Sequence, residues 1–174
     1  MTKTDDTGCF EVGSFEVIAD PILYGSGQIT LNYRLHTEFA PENLSKLLSF
    51  IQGYYRQAYD QVLGGVFSAY QKNPKWDVWV DETKSFVRID FTQKEGLHAY
   101  MGMPIADLAF DQGKSLWGLT FPGGANQLSF EHGFCTVFEG EKLLVLADND
   151  FPLVLQWFDY YCTKGNMLKT PVDR

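Results

Sequence analysis

Cysteine is scarce in this sequence. Its 174 residues include only Cys9, Cys135 and Cys162. An odd count at such wide spacings excludes a disulfide framework, and thiols of this kind fit a reducing compartment. The first residues, Met1 to Thr7, lack the basic and apolar regions of a signal peptide, and no apolar run approaches the ~20 residues that cross a bilayer. We therefore expect a cytoplasmic protein that makes no contact with membranes.

Positive charge is also in short supply. The chain has 14 Lys and Arg against 22 Asp and Glu, which gives a net charge of -8. Residues 1–40 carry 2 basic and 6 acidic groups and residues 101–160 carry 2 and 8, whereas residues 41–100 carry 7 of each. A field of this sign repels nucleic acid and anionic lipid and favours a basic partner. An ordinary solubilising surface gives the same balance, so both interpretations stay open.

Motifs for metals and nucleotides are missing. His36, His98 and His132 are isolated from one another and from the cysteines, so the spacing of a zinc site is absent. The segment Gly113-Lys114-Ser115 resembles the end of a phosphate-binding loop, but Leu108 stands where that loop needs a glycine. We therefore expect no metal and no cofactor.

One segment combines the residue types of a nucleophilic site. Glu131-His132-Gly133-Phe134-Cys135 brings an acid, a base and a thiol within five residues. In a strand, alternation puts His132 and Cys135 on opposite faces, so the imidazole cannot activate the thiol. We interpret Cys135 as a buried thiol and expect no enzyme activity. Glu131 and His132 have two open roles, which are hydrogen bonding to the preceding glycine-rich loop and contact with a partner.

Apolar and aromatic residues are plentiful, at 45% and 16% of the chain. This composition predicts a folded protein, and the length suits one domain over residues 1–174, with 1–8 and 165–174 as loose tails. The clearest pattern is helical spacing from Pro41 to Gln71, in which Gly64-Gly65 could bend or split the helix. Its apolar stripe, which we expect to pack on a sheet, includes Leu47, Ile51, Val62 and Phe67.

Alternating patterns predict strands along most of the remaining chain. Ile29–His36 alternates cleanly, with Ile29, Leu31, Tyr33 and Leu35 on one face. Further strands are predicted at 10–18, broken at Gly13-Ser14, and at 76–80, 86–91, 116–121, 130–138 and 143–146, with hairpin turns at 81–84 and 139–142.

Two segments complete the predicted fold. Residues 93–113 are ambiguous, and their pattern favours a strand at His98–Met101 and a short helix at Ile105–Phe110. A final helix begins near Asp150 and carries an apolar stripe that ends at Tyr161. The fold class is therefore α+β, a single domain with a mainly antiparallel sheet packed against one long helix and a C-terminal helix.

One set of short segments resembles a known group of proteins. Gly118-Leu119-Thr120-Phe121, followed by a loop, then Glu131-His132-Gly133 and Val137-Phe138, is similar to a motif in uncharacterised small bacterial proteins of the immunity type. The preceding order of a strand and a long helix is also similar. The resemblance implies a protein that binds and blocks a cognate bacterial toxin.

The resemblance and the charge together imply a partner-binding surface. Glu139, Glu141, Asp148 and Asp150 lie within a dozen residues and have only Lys142 among them. We predict that they contact a basic toxin, although solubilising turn residues would have the same composition. The alternative functions are a small-molecule-binding protein or enzyme with an aromatic-lined pocket, and an adaptor domain of a larger assembly. The oligomeric state stays open.

Overall fold

The computed structural model describes residues 3–4, 11–35, 39–74, 76–111, 114–128 and 133–148. It confirms the α+β class, with one long helix lying on a mainly antiparallel sheet. The helices are α1 (Pro21–Tyr24), α2 (Pro41–Lys72) and a 3₁₀ helix (Lys94–Tyr100). The strands are β1 (Lys3–Thr4), β2 (Glu11–Ile18), β3 (Gln28–Leu35), β4 (Asp77–Val80), β5 (Ser85–Arg88), β6 (Ile105–Asp111), β7 (Lys114–Phe121), β8 (Phe134–Glu139) and β9 (Lys142–Asp148).

Seven strands form the main sheet in the order β1-β2-β3-β6-β7-β8-β9. Among the described strands, β3 and β6 make the parallel pair, and the other neighbours are antiparallel. A parallel pair needs a long crossover, and the chain between β3 and β6 supplies it with α2, the β4–β5 hairpin and the 3₁₀ helix. The helix α2 contacts β2 near one side of the sheet and β9 at the other, so it crosses one whole face.

Strands β2 and β3 form a hairpin. The predicted pattern is right for β3 but not for β2. Leu31, Tyr33 and Leu35 are buried on one face of β3, as the alternation predicts. The predicted break in the preceding strand is wrong, because β2 runs unbroken through Gly13-Ser14. The Tyr33 ring lies where a Cβ at position 13 would stand, so this glycine makes room for a side chain of the neighbouring strand.

The long helix is confirmed and is not split. Leu47, Ile51 and Val62 are at most 7% exposed, whereas Phe67 is only partly buried. A Cβ built at Gly65 would lie 2.9 Å from Cδ2 of Leu146, which shows that α2 approaches β9 closely there. The tertiary contact that this approach allows outweighs the intrinsic cost of two glycines inside a helix.

The predictions for residues 93–113 are wrong in both parts. Lys94–Tyr100 is a 3₁₀ helix and Ile105–Asp111 is strand β6. The central position of β6 explains the error, since Ala106 and Leu108 are buried on the α2 face while Asp107 and Ala109 are buried on the opposite face. A strand that is buried on both faces has no polar and apolar alternation to reveal it.

The β4–β5 hairpin forms as predicted but stands apart as a two-stranded sheet. Its second strand ends at Arg88, three residues before the predicted end. The backbone amide of Asn126 donates to the Trp79 carbonyl at 2.7 Å and so ties the hairpin to the loop after β7. Phe86 is 60% exposed, so part of this hairpin faces solvent with apolar surface.

The β8–β9 hairpin also forms as predicted, with its turn at residues 140–141. The predicted start of β8 is wrong in part, because Gly133 has a φ of 68° and the strand begins only at Phe134. The predicted C-terminal helix and the loose tail after residue 164 lie outside the described residues. In the described part of the chain, no helix combines the length and the apolar character that a membrane span needs.

Candidate functional site

An open cleft of about 560 Å³ lies between α1 and α2. Its floor contains three tyrosines, because Tyr55 and Tyr59 stand one turn apart on the same face of α2 and meet Tyr24 from α1. Its walls are Asp20, Leu23, Arg56, Gln57, Asp60 and Gln61. The cleft therefore joins an aromatic floor to a polar rim.

Local sequence explains why α1 forms beside α2. Asp20 caps the helix by accepting from the Ile22 amide at 2.9 Å, Pro21 opens the first turn, and Gly25 ends the helix with a φ of 68°. The Ala19 amide donates to the Gly27 carbonyl at 3.0 Å, which closes the loop that carries α1. The capping carboxylate also accepts from the Arg56 Nη2 at 2.8 Å, so the same residue fastens α1 to α2.

The phenols of the cleft floor are linked through hydrogen bonds. The hydroxyls of Tyr24 and Tyr55 lie 2.7 Å apart, and the Tyr59 hydroxyl lies 2.7 Å from Nδ1 of His98. His98 also bonds the backbone of Leu23. In the neutral tautomer that carries its proton on Nε2, Nδ1 accepts and the Tyr59 hydroxyl donates. Three elements, α1, α2 and the 3₁₀ helix, thus meet in one polar cluster.

Burial keeps this cluster uncharged at neutral pH. It raises the pKa of Tyr24, Tyr55 and Tyr59 well above their usual range, and it lowers the pKa of His98 below its ordinary value of 6.5. Tyr55 and Tyr59 are at most 2% exposed, whereas Tyr24 is half-buried and faces the cleft. The cluster can therefore offer neutral hydrogen bonds and ring surface rather than a charge.

The rim has two ion pairs, and in each pair the positive charge balances the negative one. Arg56 pairs with Asp20 at 2.8 Å, and Lys94 pairs with Asp60 at 2.5 Å. Both pairs lie at the surface, where a salt bridge contributes at most about 1 kcal/mol. The rim therefore supplies exchangeable charges of both signs without a net charge of its own.

The structure brings two of the four predicted partner-binding residues next to this cleft. Glu139 and Glu141 lie at the β8–β9 turn. The Glu141 carbonyl accepts from the Tyr54 hydroxyl at 3.0 Å and from Gln61 Nε2 at 3.2 Å. Because Gln61 also lines the cleft, its side chain links the acidic turn to the cleft.

Of the other two predicted residues, only Asp148 is described, and its backbone lies away from the acidic turn. Asp148 ends β9, where it pairs with Phe134, so it lies at the opposite end of the strand from the turn. Asp150 lies outside the described residues. Strand β9 has seven residues and spans about 20 Å from the turn to Asp148, which excludes a single compact patch of Asp148 with Glu139 and Glu141.

The segment that the sequence marked as a possible nucleophilic site is described only from Gly133 onward. Cys135 is 1% exposed, which agrees with a buried thiol. The argument from alternation across residues 131–135 does not hold, because Gly133 is not in the strand. Glu131 and His132 lie outside the described residues. In the ranges that the structure describes, His, Cys, Asp and Glu form no group of three that could hold a metal ion.

The structure explains why two positions of the motif that resembles immunity-type proteins are glycine. A Cβ at Gly118 would collide with the Thr136 carbonyl, and one at Gly133 would collide with the Phe121 carbonyl. The Thr136 hydroxyl accepts from the Leu119 amide at 2.8 Å, which replaces a backbone bond where β7 and β8 depart from regular pairing. These glycines are therefore explained by the close approach of β7 and its neighbours, whatever the function.

In comparisons with known proteins, no family model, curated protein or solved structure matches this chain. Its function therefore has to be argued from the cleft and the turn beside it. The sequence analysis missed the cleft itself, including Tyr24, Tyr55, Tyr59 and His98. The four-residue spacing of the two helix tyrosines was visible, but its meeting with Tyr24 and His98 depends on tertiary contacts.

Proposed function

We propose that this chain is a binding protein of the immunity type, which neutralises a cognate bacterial toxin by direct contact. The observation that carries the proposal is the continuity of the tyrosine cleft with the acidic β8–β9 turn through Gln61. Aromatic groups at the centre of a surface and charges at its edge are the usual arrangement of a protein interface. The cleft would hold the partner, and the turn would guide it.

The surroundings of the cleft support a protein partner. Ile22 is 88% exposed on α1, beside the cleft, and Ile18 is 45% exposed shortly before it. Together with the half-buried Tyr24 they give apolar surface that a partner could cover. The net charge of -8 favours a basic partner, since opposite charge accelerates the encounter between two proteins.

The test uses the protein encoded beside this gene as the candidate toxin. Reversing both charges of the turn, with Glu139→Lys and Glu141→Lys, should slow association about tenfold and reduce its salt dependence. The matched control reverses two exposed carboxylates elsewhere, with Glu42→Lys and Glu82→Lys. Stopped-flow association rates at several salt concentrations measure both variants, and co-expression measures protection from toxicity.

Equal rates for the turn variant and the control would show that the turn is not part of the docking surface. Failure of the wild-type chain to bind or protect would reject the immunity function for that pair of genes. Circular dichroism and melting curves must agree between the variants, so that a change in rate is not a change in folding.

A second candidate function is the binding of a small molecule in the same cleft. The volume of about 560 Å³ lies within the roughly 300–1,000 Å³ of ligand pockets, and Gln57, Asp60 and Gln61 converge on it. A compound that raises the melting temperature of the wild type but not of a Gln57→Trp variant, which fills the cleft, would support this function. The charge reversals at Glu139 and Glu141 should leave such binding unchanged.

A further inference from the structure

The helix α1 is attached to the rest of the molecule through Tyr24 and Leu23, which both pack against the core, and the Leu23 backbone also bonds His98. None of its four residues is fully buried, and Ile22 points almost wholly into solvent. Tyr24, in contrast, packs its ring against three others, with centroid distances of 6.2 Å to Tyr55, 5.4 Å to Tyr59 and 4.6 Å to His98. The aromatic ring of Tyr24 therefore occupies a ring-walled pocket formed by residues of other elements.

The pocket beneath Tyr24 contains both kinds of contact that a phenol requires. Its walls are the rings of Tyr55, Tyr59 and His98, in edge and tilted contacts that are favourable for aromatic groups. Its polar end is the Tyr55 hydroxyl, 2.7 Å from the Tyr24 hydroxyl. Tyr24 itself therefore shows that the pocket accepts a phenol side chain.

The ion pair and the loop that also hold α1 lie at the surface. The ion pair of Asp20 with Arg56 lies at the surface, with side chains 24% and 53% exposed, where water screens it. The loop leaves α1 through Gly25 and Gly27, and neither has any atom within 4 Å of its Cβ position. Two unobstructed glycines allow the backbone to turn there, while the Ala19–Gly27 hydrogen bond keeps the loop closed at its base.

We propose that α1 is a displaceable strap and that the pocket of Tyr55, Tyr59 and His98 recognises a tyrosine side chain of the bound partner, which takes the place of Tyr24. This inference rests on the proposed function for the existence of a protein partner. Displacement frees Tyr24 and the exposed Ile22 to pack on the partner surface. The strap thus keeps the pocket filled until the partner arrives.

The first test uses phenol as the probe and needs no partner. Tyr24→Ala empties the pocket, and a cavity lined by rings accepts a small aromatic guest of matching shape. Phenol should raise the melting temperature of this variant by at least about 2–4 °C, and toluene should raise it less because it cannot bond the Tyr55 hydroxyl. The wild type and Tyr24→Phe, whose pockets stay filled, should show no comparable shift. A Tyr24→Ala variant that folds and gains nothing from phenol overturns the inference.

The second test works on the wild type, in case Tyr24→Ala does not fold. The Tyr24 amide donates to the Asp20 carbonyl at 3.0 Å, so its hydrogen exchange reports opening of α1. Phenol should accelerate exchange at this amide severalfold by capturing the open form, while the amide of Ile51 in the buried middle of α2 should not change. Unchanged exchange at Tyr24 across the phenol range shows that the strap does not open and overturns the inference.

The two proposals can fail separately. If phenol binds the emptied pocket but reversing Glu139 and Glu141 leaves partner association unchanged, the pocket stands and the docking surface is wrong. If a toxin binds the chain but phenol does not compete with it, and Tyr55→Ala leaves its affinity unchanged, the immunity function stands and the tyrosine anchor is wrong.

Discussion

The two faces of the sheet hold buried polar networks of different kinds. On the face away from α2, Asp107 is 1% exposed and accepts from Arg34 Nε at 2.8 Å, from Arg34 Nη2 at 2.9 Å and from the Thr120 hydroxyl. On the α2 side, Tyr24, Tyr55, Tyr59 and His98 form the neutral cluster of the cleft. One network contains full charges within the sheet, and the other contains neutral groups next to the surface.

The position of each network explains the difference. Arg34 and Asp107 stand directly opposite each other in the parallel pairing of β3 with β6, and Thr120 lies on the neighbouring strand β7. The register of the strands therefore places the charged groups of this network next to each other. The network in turn favours this register of β3 and β6 over a shifted one. The neutral cluster instead joins α1, α2 and the 3₁₀ helix, so it can change without rearranging the sheet. We infer that the first network serves the fold and the second serves binding.

The largest expected effect comes from breaking the charged network. Asp107→Ala leaves the Arg34 guanidinium, 15% exposed, without its bidentate carboxylate, and we expect a loss of about 3–5 kcal/mol in the free energy of unfolding. Urea denaturation measures this loss directly. A loss below about 1 kcal/mol would mean that the network does not hold the central strands.

The control removes both charges together. Arg34→Met with Asp107→Leu removes both charges of the pair, and such replacements of buried ion pairs are often neutral or stabilising. A double variant that is clearly more stable than Asp107→Ala shows that the cost arises from the guanidinium that has lost the Asp107 carboxylate, and a double-mutant cycle gives the coupling between the two residues.

The neutral cluster should respond less to a comparable change. Tyr59→Phe removes the donor to Nδ1 of His98 and leaves that nitrogen unsatisfied, which we expect to cost about 1–3 kcal/mol. Tyr54→Phe serves as the control, because its hydroxyl bonds the exposed Glu141 carbonyl and water can replace it there, so the loss should stay below about 1 kcal/mol. If Tyr59→Phe costs as much as Asp107→Ala, the distinction between the two networks is wrong.

The helix at 41–71 and strand β3 could be predicted because one side of each meets the core, which gives the sequence a clear period. The predicted hairpins at 76–91 and 130–146 were marked by their polar turns at 81–84 and 139–142. Strand β6 was missed because burial on both faces leaves no alternation and its alanines and leucine favour a helix, whereas β7 and β8 are marked by aromatic and β-branched residues. The 3₁₀ helix was missed because only Leu97 and the following Met101 mark its buried side.

The candidate site was less predictable than the fold. The acidic turn at Glu139 and Glu141 is local in sequence and could be proposed from charge alone. The cleft depends on contacts between residues 24, 55, 59 and 98, which are distant in sequence and have no shared local pattern. Asp148 was grouped with the turn because sequence distance does not show that a strand carries it to the opposite end of the sheet.

The smallest expected effect is the change in stability when His98 titrates, and it distinguishes the two networks. The pKa of His98 is lowered by burial from its ordinary value of 6.5, so the unfolded chain binds a proton at this residue more readily than the folded chain. The free energy of unfolding should therefore fall as the pH drops below about 7, and the loss should stop below the folded pKa. One such group changes stability by at most about 1.4 kcal/mol per pH unit.

The matched variant for this experiment is His98→Gln, which cannot titrate. Urea denaturation of both proteins from pH 7.5 to 5.5 includes the titration of His36 and His132 equally, so the difference between the two curves isolates His98. Asp20 does not interfere, because the Ile22 amide that it caps lowers the pKa of this carboxyl from its ordinary value of 3.8, which is below this range. Protonated His98 has no acceptor nitrogen for the Tyr59 hydroxyl, so the loss at low pH belongs to the neutral cluster. Parallel curves for the wild type and His98→Gln would show that the imidazole titrates as freely in the folded chain as in the unfolded one. The neutral cluster would then not be the closed, desolvated pocket that recognition of a tyrosine side chain requires.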